Sequence, residues 1–409
     1  MSSRRVALES LIEWENTSAY AEDILSDLAG HYRLEGSDRG LAVEILYGTI
    51  RNLFLLDEII DQLRRGKVKS ETRNLLRIGL FQIFLSGIAD HAAVNETVGL
   101  ARKHERGLVN AILRNALRQR EDFEAAIKEW PLADRFSHPE FLIERWNGQF
   151  GEEATAALCD WNNTPPKNYG RINSLAPDEE ALNRVRSETQ PCLVGPEFPD
   201  FFQFEGAPRR EWIEEGLLYV QDPSTSLACR MLDPQPGERI LDACGAPGGK
   251  AAYLAALCGS PSSITVADSS AARLERTREN LTRLHAGEAH LVHVDWTKDE
   301  EFPEDLGTFD AILLDVPCSN SGVMRRRVDV RWRLQTGDFE RQADLQSSLL
   351  ENVARFLKPD GRLVYSTCSI DREENEAVAE GSHLQVVSTA SSLPWRDGHD
   401  GAFSALLRP

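Results

Sequence analysis

Residues 239–250 read Arg-Ile-Leu-Asp-Ala-Cys-Gly-Ala-Pro-Gly-Gly-Lys: an apolar run, a carboxylate, then a glycine-rich turn. An apolar run of this length closing on Asp242 predicts a buried strand. Glycines directly after it let backbone N–H groups approach a ligand where a Cβ would intrude. The turn matches neither GxGxxG nor GxxxxGK[ST]: Ala251 follows Lys250, so the hydroxyl of a P-loop is missing. Taken alone, it also reads as a tight strand-to-helix loop.

The same rhythm repeats outward from this stretch. Ser263–Asp268, His290–Asp295, Asp310–Asp315 and Gly361–Ser366 are further short apolar runs, with helix-capable segments between several of them. This alternation predicts an α/β, Rossmann-like parallel sheet with helices on both faces. Four runs end in Asp, at 242, 268, 295 and 315. Ligands of open α/β sheets sit at the carboxyl ends of strands, so four carboxylates are expected around one crevice. Asp268 suits the two hydroxyls of a ribose and also suits capping the helix that follows. Asp295 suits an adenine amine, or is an ordinary loop carboxylate.

Two cysteines, Cys318 and Cys368, lie just past the fourth and fifth runs, over the same crevice. A thiolate is a strong nucleophile, and Lys250 or Arg325–Arg327 would lower its pKa. For Cys159, Cys192, Cys229 and Cys258 a buried structural role suffices. Seven cysteines without a CxxC pair argue against a disulfide framework and against a cysteine-based zinc site. No metal set is apparent among the nine histidines.

The chain has 409 residues, 41% hydrophobic and 27% charged, which suits two to three globular domains. It shows no apolar span of about 20 residues and no signal-peptide pattern. A cytoplasmic monomer without membrane contact is expected. The net charge of −19 argues against coating nucleic acid through bulk electrostatics. Residues 51–120 nevertheless carry +6, so any RNA contact is expected to be local. Two basic stretches stand out. Arg114 and Arg118 share a helical face at i,i+4. Arg325, Arg326, Arg331 and Trp332 belong to a run of five arginines around one indole, suited to gripping phosphates and stacking a base. A solvated basic surface is the plainer reading of both.

The organisation read from these patterns is multidomain. An all-α domain spans 1–125, a connector marked by Pro131, Pro139, Pro165 and Pro166 and holding one helix near Glu140–Phe150 spans 126–165, a small α+β subdomain spans 166–225, and the α/β domain spans 226–409.

The segments Asp242–Lys250, Asp315–Arg326 and Tyr365–Ile370 resemble the motifs of the NOL1/NOP2/Sun superfamily of RNA 5-methylcytosine methyltransferases. Arg171-Ile-Asn173 and Tyr219–Ser226 match the same pattern, and Asp397–Leu407 resembles its last β-hairpin. Asp38–Gly48 and Gly107–Arg114 are similar to a NusB-like RNA-binding domain. The combination resembles the bacterial 16S rRNA cytosine methyltransferase (Sun/Fmu) group. Four departures stand out: the superfamily usually has Ala at Gly245, Thr at Ala251, Ala at Val316 and Gly at Asn320. None replaces a charged or nucleophilic group.

The resemblance implies transfer of a methyl group from S-adenosylmethionine to carbon-5 of a cytosine. The substrate would be 16S rRNA or a small-subunit precursor, with no metal. Cys368 would be the nucleophile, Cys318 would assist product release, and Asp315 would bond the cytosine edge. The cofactor would rest on Cys244, Gly245, Ala246, Pro247, Gly248, Gly249 and Lys250, with Asp268, Asp295 and Asp315. The same chemistry on tRNA or another rRNA cytosine is one alternative, and a non-catalytic RNA-binding assembly factor is another.

Overall fold

The apolar periodicity of the N-terminal residues becomes a run of helices: α1 (Ser3–Asn16), α2 (Ala21–His31), α3 (Gly36–Arg51), α4 (Leu53–Leu63), α5 (Ser70–Phe84), α6 (Asp90–Leu100), α7 (Arg106–Arg118) and α8 (Arg120–Ile127). This computed structural model describes residues 2–64, 66–298, 302–303 and 305–409. α7 shows the logic. Val109, Ile112, Leu113 and Ala116 fall on one stripe and are buried, which turns Arg114 and Arg118 outward. α3 and α5 approach closely because residue 48 is glycine: a Cβ there would lie 2.1 Å from the Phe81 ring.

The stretch expected to be a connector with one helix holds three, α9 (Leu132–Phe136), α10 (Glu140–Phe150) and α11 (Glu152–Asn163). All three belong to the helical unit, which runs through Thr164 and also takes in Arg327–Arg333. The prolines that suggested a linker stand at helix starts: Pro131 and Pro139 are the N-cap residues of α9 and α10. An N-terminal position tolerates proline because its missing N–H has no intrahelical acceptor.

The second unit comprises Pro165–Arg326 and Leu334–Pro409. It opens with β1 (Asn168–Ile172), α12 (Glu179–Thr189), β2 (Leu193–Gly195), β3 (Phe198–Phe204), α13 (Arg210–Glu214) and β4 (Leu218–Val220). These strands form an antiparallel sheet of order β2-β3-β1-β4. After α14 (Ser226–Leu232) come β5 (Ile240–Asp242), α15 (Gly249–Cys258), β6 (Ile264–Asp268), α16 (Ala271–Arg283), β7 (His290–His293) and β8 (Phe309–Asp315). A short α17 (Val330–Arg333), part of the helical unit, precedes α18 (Asp338–Ala354), β9 (Leu357–Thr367), α19 (Glu376–Gly381), β10 (Gln385–Ser392), α20 (Pro394–Asp397) and β11 (Ala402–Arg408).

The seven-stranded sheet has the order β10-β11-β9-β8-β5-β6-β7. β5 to β9 pair in parallel, whereas β11 pairs antiparallel with β9 and with β10. The sheet is therefore Rossmann-like but mixed, its edge closed by the C-terminal hairpin. Every residue of β5 and β6 is buried. Covered on both faces, such strands read as continuous apolar runs rather than alternations. The chain runs outward from β5 through β6 to β7, then returns to place β8 on the other side of β5. That reversal opens the crevice in which ligands of such sheets bind.

Candidate active site

β5, β6 and β8 deliver Asp242, Asp268 and Asp315 at their carboxyl ends. Asp295 lies two residues beyond β7. A pocket of ≈ 400 Å³ opens beside Asp242 and Asp315, walled by Cys244, Gly245, Ala246, Pro247, Gly249 and Lys250, and by Tyr169 and Tyr219. Gly248 shapes this loop from behind, with φ +94°, a backbone conformation open to glycine. A Cβ on Gly249 would lie 2.5 Å from the Tyr219 ring, and one on Gly245 would lie 2.6 Å from the Asp242 carboxyl carbon. Glycine at 245, where alanine is usual in the resemblance, lets the backbone close over that carboxylate.

Arg171 and Asn173 support this loop and its surroundings from below. The wholly buried Arg171 guanidinium donates to the Gly249 carbonyl (3.3 Å) and to Gln221 (2.8 Å) and lies over the Tyr253 ring. Asn173 donates to the Gly216 and Leu284 carbonyls.

Charge is distributed unevenly in the pocket. Lys250 Nζ donates to Asp315 at 2.6 Å. Burial works to lower the Lys250 ammonium, but the paired carboxylate more than reverses this and holds it above the usual lysine range. Asp242 is wholly buried, and neither of its oxygens has a hydrogen-bond partner. Burial pushes its carboxyl up to about 7, against the pull of Lys250 and with the help of Asp315 and Asp268. Buried carboxylates without donors are rare and costly, and this one stands in the pocket wall.

Asp268 is buried, accepts from the Ser270 N–H at 2.8 Å and pairs with Arg273 at 2.7 Å. Asp295 is half-buried, and hydrogen bonds from Thr297 hold it below the usual carboxylate range. Neither lines the pocket itself.

The two cysteines meet. Cys318, three residues beyond Asp315, and Cys368, just past β9, bring their Sγ atoms to 3.0 Å. Cys368 also donates to Asn320 Oδ1 at 3.3 Å. The hydrogen bond with Cys368 and burial push the Cys318 thiol well up, and the charges of Cys368 and Glu374 add to this. Cys159, in the helical unit, and Cys229, whose thiol donates to the Lys250 carbonyl at 3.9 Å, are buried, and burial pushes both up to about 12; Cys258 is buried as expected, whereas Cys192 is exposed. Among the described residues no cluster of His, Cys, Asp and Glu suits a metal ion, and no helix is long and apolar enough to cross a membrane.

The arginine run after β8 corrects an expectation. Arg331 is wholly buried in the helical unit and donates to Asn163 Oδ1 (2.8 Å) and to the Asn162 (3.1 Å) and Ser137 (3.2 Å) carbonyls. Trp332 donates to the Ile50 carbonyl at 2.9 Å and sets its ring edge-on against Phe54. Within the second unit, Arg325 is 5% exposed and donates to the Pro165 carbonyl. Arg326 bridges Asp222 and Asp400. Phosphate-gripping arginines must face solvent: Arg325 and Arg331 are engaged internally, whereas Arg326 keeps 30% of its side chain exposed and Arg327 is exposed. Asp222 and Asp400, which line the pocket with Arg326, carry no signal in the sequence as a pair. They stand 178 residues apart, and only the fold joins them.

Residues 229–408 match the family model described as 16S rRNA methyltransferase RsmB/F, residues 1–118 match the NusB family, and residues 138–190 match the ferredoxin-like domain of RsmF/B-like methyltransferases. A probable ribosomal RNA small subunit methyltransferase B of Bacillus subtilis is 35% identical, covering 92% of this chain and 87% of that protein. Ribosomal RNA small subunit methyltransferase B of Pasteurella multocida is 31% identical over 100% of this chain and 96% of its own. The crystal structure of PH0851 superposes with a TM-score of 0.76 at 23% identity, covering 100% of this chain and 98% of that one, and so shares the fold. With a strand-end pocket, a thiol pair and relatives aligned along nearly its whole length, the chain belongs to the RsmB/F family of S-adenosylmethionine-dependent RNA methyltransferases.

Proposed function

We propose that this enzyme methylates carbon-5 of a cytosine in 16S rRNA through a covalent adduct on Cys368. The observation that carries this reading is the 3.0 Å approach of two sulfurs, one of them three residues beyond Asp315, the partner of Lys250. Carbon-5 of cytosine is a poor nucleophile. Addition of the Cys368 sulfur to carbon-6 moves an electron pair to carbon-5, which then bonds the methyl group. Loss of the carbon-5 proton to water restores the ring double bond and expels the Cys368 sulfur as a thiolate. Cys318, kept protonated, donates a hydrogen bond to the Cys368 sulfur and so stabilises it as a thiolate before addition and after expulsion. Asp315 takes the N3/N4 edge of the ring, where charge builds during addition.

S-adenosylmethionine, when bound, supplies an electrophilic methyl group on a sulfonium. The residues present suit it: Asp242 offers two unpartnered oxygens to a cationic group, and the loop Cys244–Lys250 offers close backbone approach. Asp268 suits the ribose hydroxyls and Asp295 the adenine amine. Exposed Arg114 and Arg118 of α7 supply the charge that meets RNA. A target cytosine in paired RNA must leave its stack to reach the thiols.

Cys368→Ala abolishes methyl transfer and forms no adduct, whereas Cys318→Ala accumulates a protein–RNA adduct on denaturing gels with radiolabelled RNA. An adduct in the Cys368 variant alone would reverse the roles. Bisulfite sequencing of RNA from cells with and without the gene locates the target. A changed position in tRNA rather than 16S rRNA would overturn the substrate.

A further inference from the structure

The loop that carries Cys318 is held by a buried residue that the chemistry above does not use. Glu374 lies six residues beyond Cys368, between β9 and α19, and is wholly buried. Its Oε1 accepts from the Ser319 N–H at 2.8 Å and from Gln346 Nε2 at 3.0 Å, and its Oε2 accepts from the Ser319 hydroxyl. Gln346 of α18 also donates to the Pro317 carbonyl at 3.0 Å. The residues on either side of Cys318 are thus tied, directly or through Gln346, to one carboxylate.

A second set of bonds joins this loop to the one bearing Cys368. Ser369 Oγ lies 3.3 Å from Ser319 Oγ and 3.1 Å from Ser321 Oγ. The Gly322 N–H donates to the Cys368 carbonyl at 3.0 Å, and a Cβ on Gly322 would lie 2.6 Å from that oxygen.

We propose that Glu374 is a positioning residue for methyl transfer, clamping the Pro317–Ser321 loop so that the Cys318 sulfur stays against that of Cys368. The inference rests on the two-thiol reading given above. A thiol is a weak hydrogen-bond donor, so its help to a departing sulfur depends steeply on distance. A charged acceptor taking a backbone N–H beside the cysteine is a stiff way to set that distance. Glutamine at 374 keeps the shape. Its Oε1 still accepts from the Ser319 N–H, and its amide faces a hydroxyl that turns to accept. Alanine removes the clamp.

The test uses the full-length enzyme and a 16S rRNA transcript, with active molecules counted by trapping on the same transcript carrying 5-fluorocytidine. Per active molecule, Glu374→Ala lowers kcat about 10-fold to 100-fold, the scale of an ångström-sized misplacement. KM for the transcript stays within about twofold, and adduct accumulates on ordinary RNA as expected for Cys318→Ala. Glu374→Gln restores turnover to within about threefold of wild type. A purely structural role would lower the melting temperature and the number of active molecules while leaving turnover per active molecule unchanged, and that result overturns the proposal. So does a glutamine variant as impaired as the alanine variant. If Glu374→Ala does not fold, Ser319→Ala removes one donor of the clamp and shifts the adduct fraction in the same direction; an unshifted fraction overturns it. Cys368→Ala run on the same gel separates the two readings. Methyl transfer surviving there condemns the two-thiol chemistry, whereas a normal Glu374→Ala beside an inactive Cys368→Ala condemns the clamp alone.

Discussion

Two buried charges, one in each unit, show opposite uses of the same costly device. Arg331 in the helical unit has its terminal nitrogens met by acceptors, two backbone carbonyls and the Asn163 amide oxygen within 3.2 Å, and only its Nε stands without a partner among the described residues. Asp242 in the methyltransferase unit is as deeply buried and has no donor. A buried charge that the chain satisfies itself is architecture, fixing where a segment packs. One left without a donor beside a pocket, as at Asp242, is what the proposed binding of S-adenosylmethionine puts to use.

Removing the satisfied charge has the larger effect. Arg331→Ala strands three neutral acceptors in the core and costs about 2–4 kcal/mol of stability in the helical unit, measured by urea denaturation of the full chain. A drop below about 1 kcal/mol would mean that those hydrogen bonds carry little.

Asp242→Asn acts in the other direction. The folded carboxyl, raised to about 7, holds its proton more tightly than in the unfolded chain, near 3.9. Its favourable contribution is therefore complete at low pH, falls away as pH rises through 7, and stays absent above it. The asparagine variant, free of that burden, is more stable than wild type by about 1–3 kcal/mol at pH 8 and by almost nothing near pH 4. It also binds S-adenosylmethionine more weakly by calorimetry. Equal melting temperatures at pH 8 would contradict an unpartnered ionised group.

The exposed pair on α7 sharpens the contrast, because nothing in the fold depends on it. Among the described residues, Arg114 and Arg118 bond amide side chains of their own helix. Replacing both by alanine changes stability by no more than about 0.5 kcal/mol. It lowers the slope of RNA affinity against salt by about 0.7–0.9 for each phosphate that no longer meets an arginine. An unaltered slope would remove α7 from the RNA surface.

The methyltransferase unit was largely legible in its sequence, for a definite reason. β5, β6 and β8 are short and covered on both faces, so their apolar runs and terminal carboxylates stand out, and the two cysteines follow strand ends by only one to three residues. The helical unit was legible as far as α8. The failures came where identity was local but burial was not. Pro131 and Pro139 suggested a linker because proline marks both loops and helix starts, and the choice between them rests on what the following turn packs against. Arg325–Arg333 looked like a surface grip because nothing nearby in the chain reveals that Ile50, Ser137 and Asn162 supply acceptors for Arg331 and Trp332.

Periodicity and strand-end chemistry, read from residues near one another in the chain, determined that this protein has a helical domain, a doubly wound sheet, a glycine-rich turn after its first sheet strand and two cysteines close behind strand ends. Only the tertiary structure decided which arginines face water, that Asp222 and Asp400 share Arg326, that Asp242 stands without a donor, and that Glu374 grips the loop of Cys318. The physical reason is solvation. A charge has one meaning in water and another inside a fold, and the chain alone does not state which surroundings it will have.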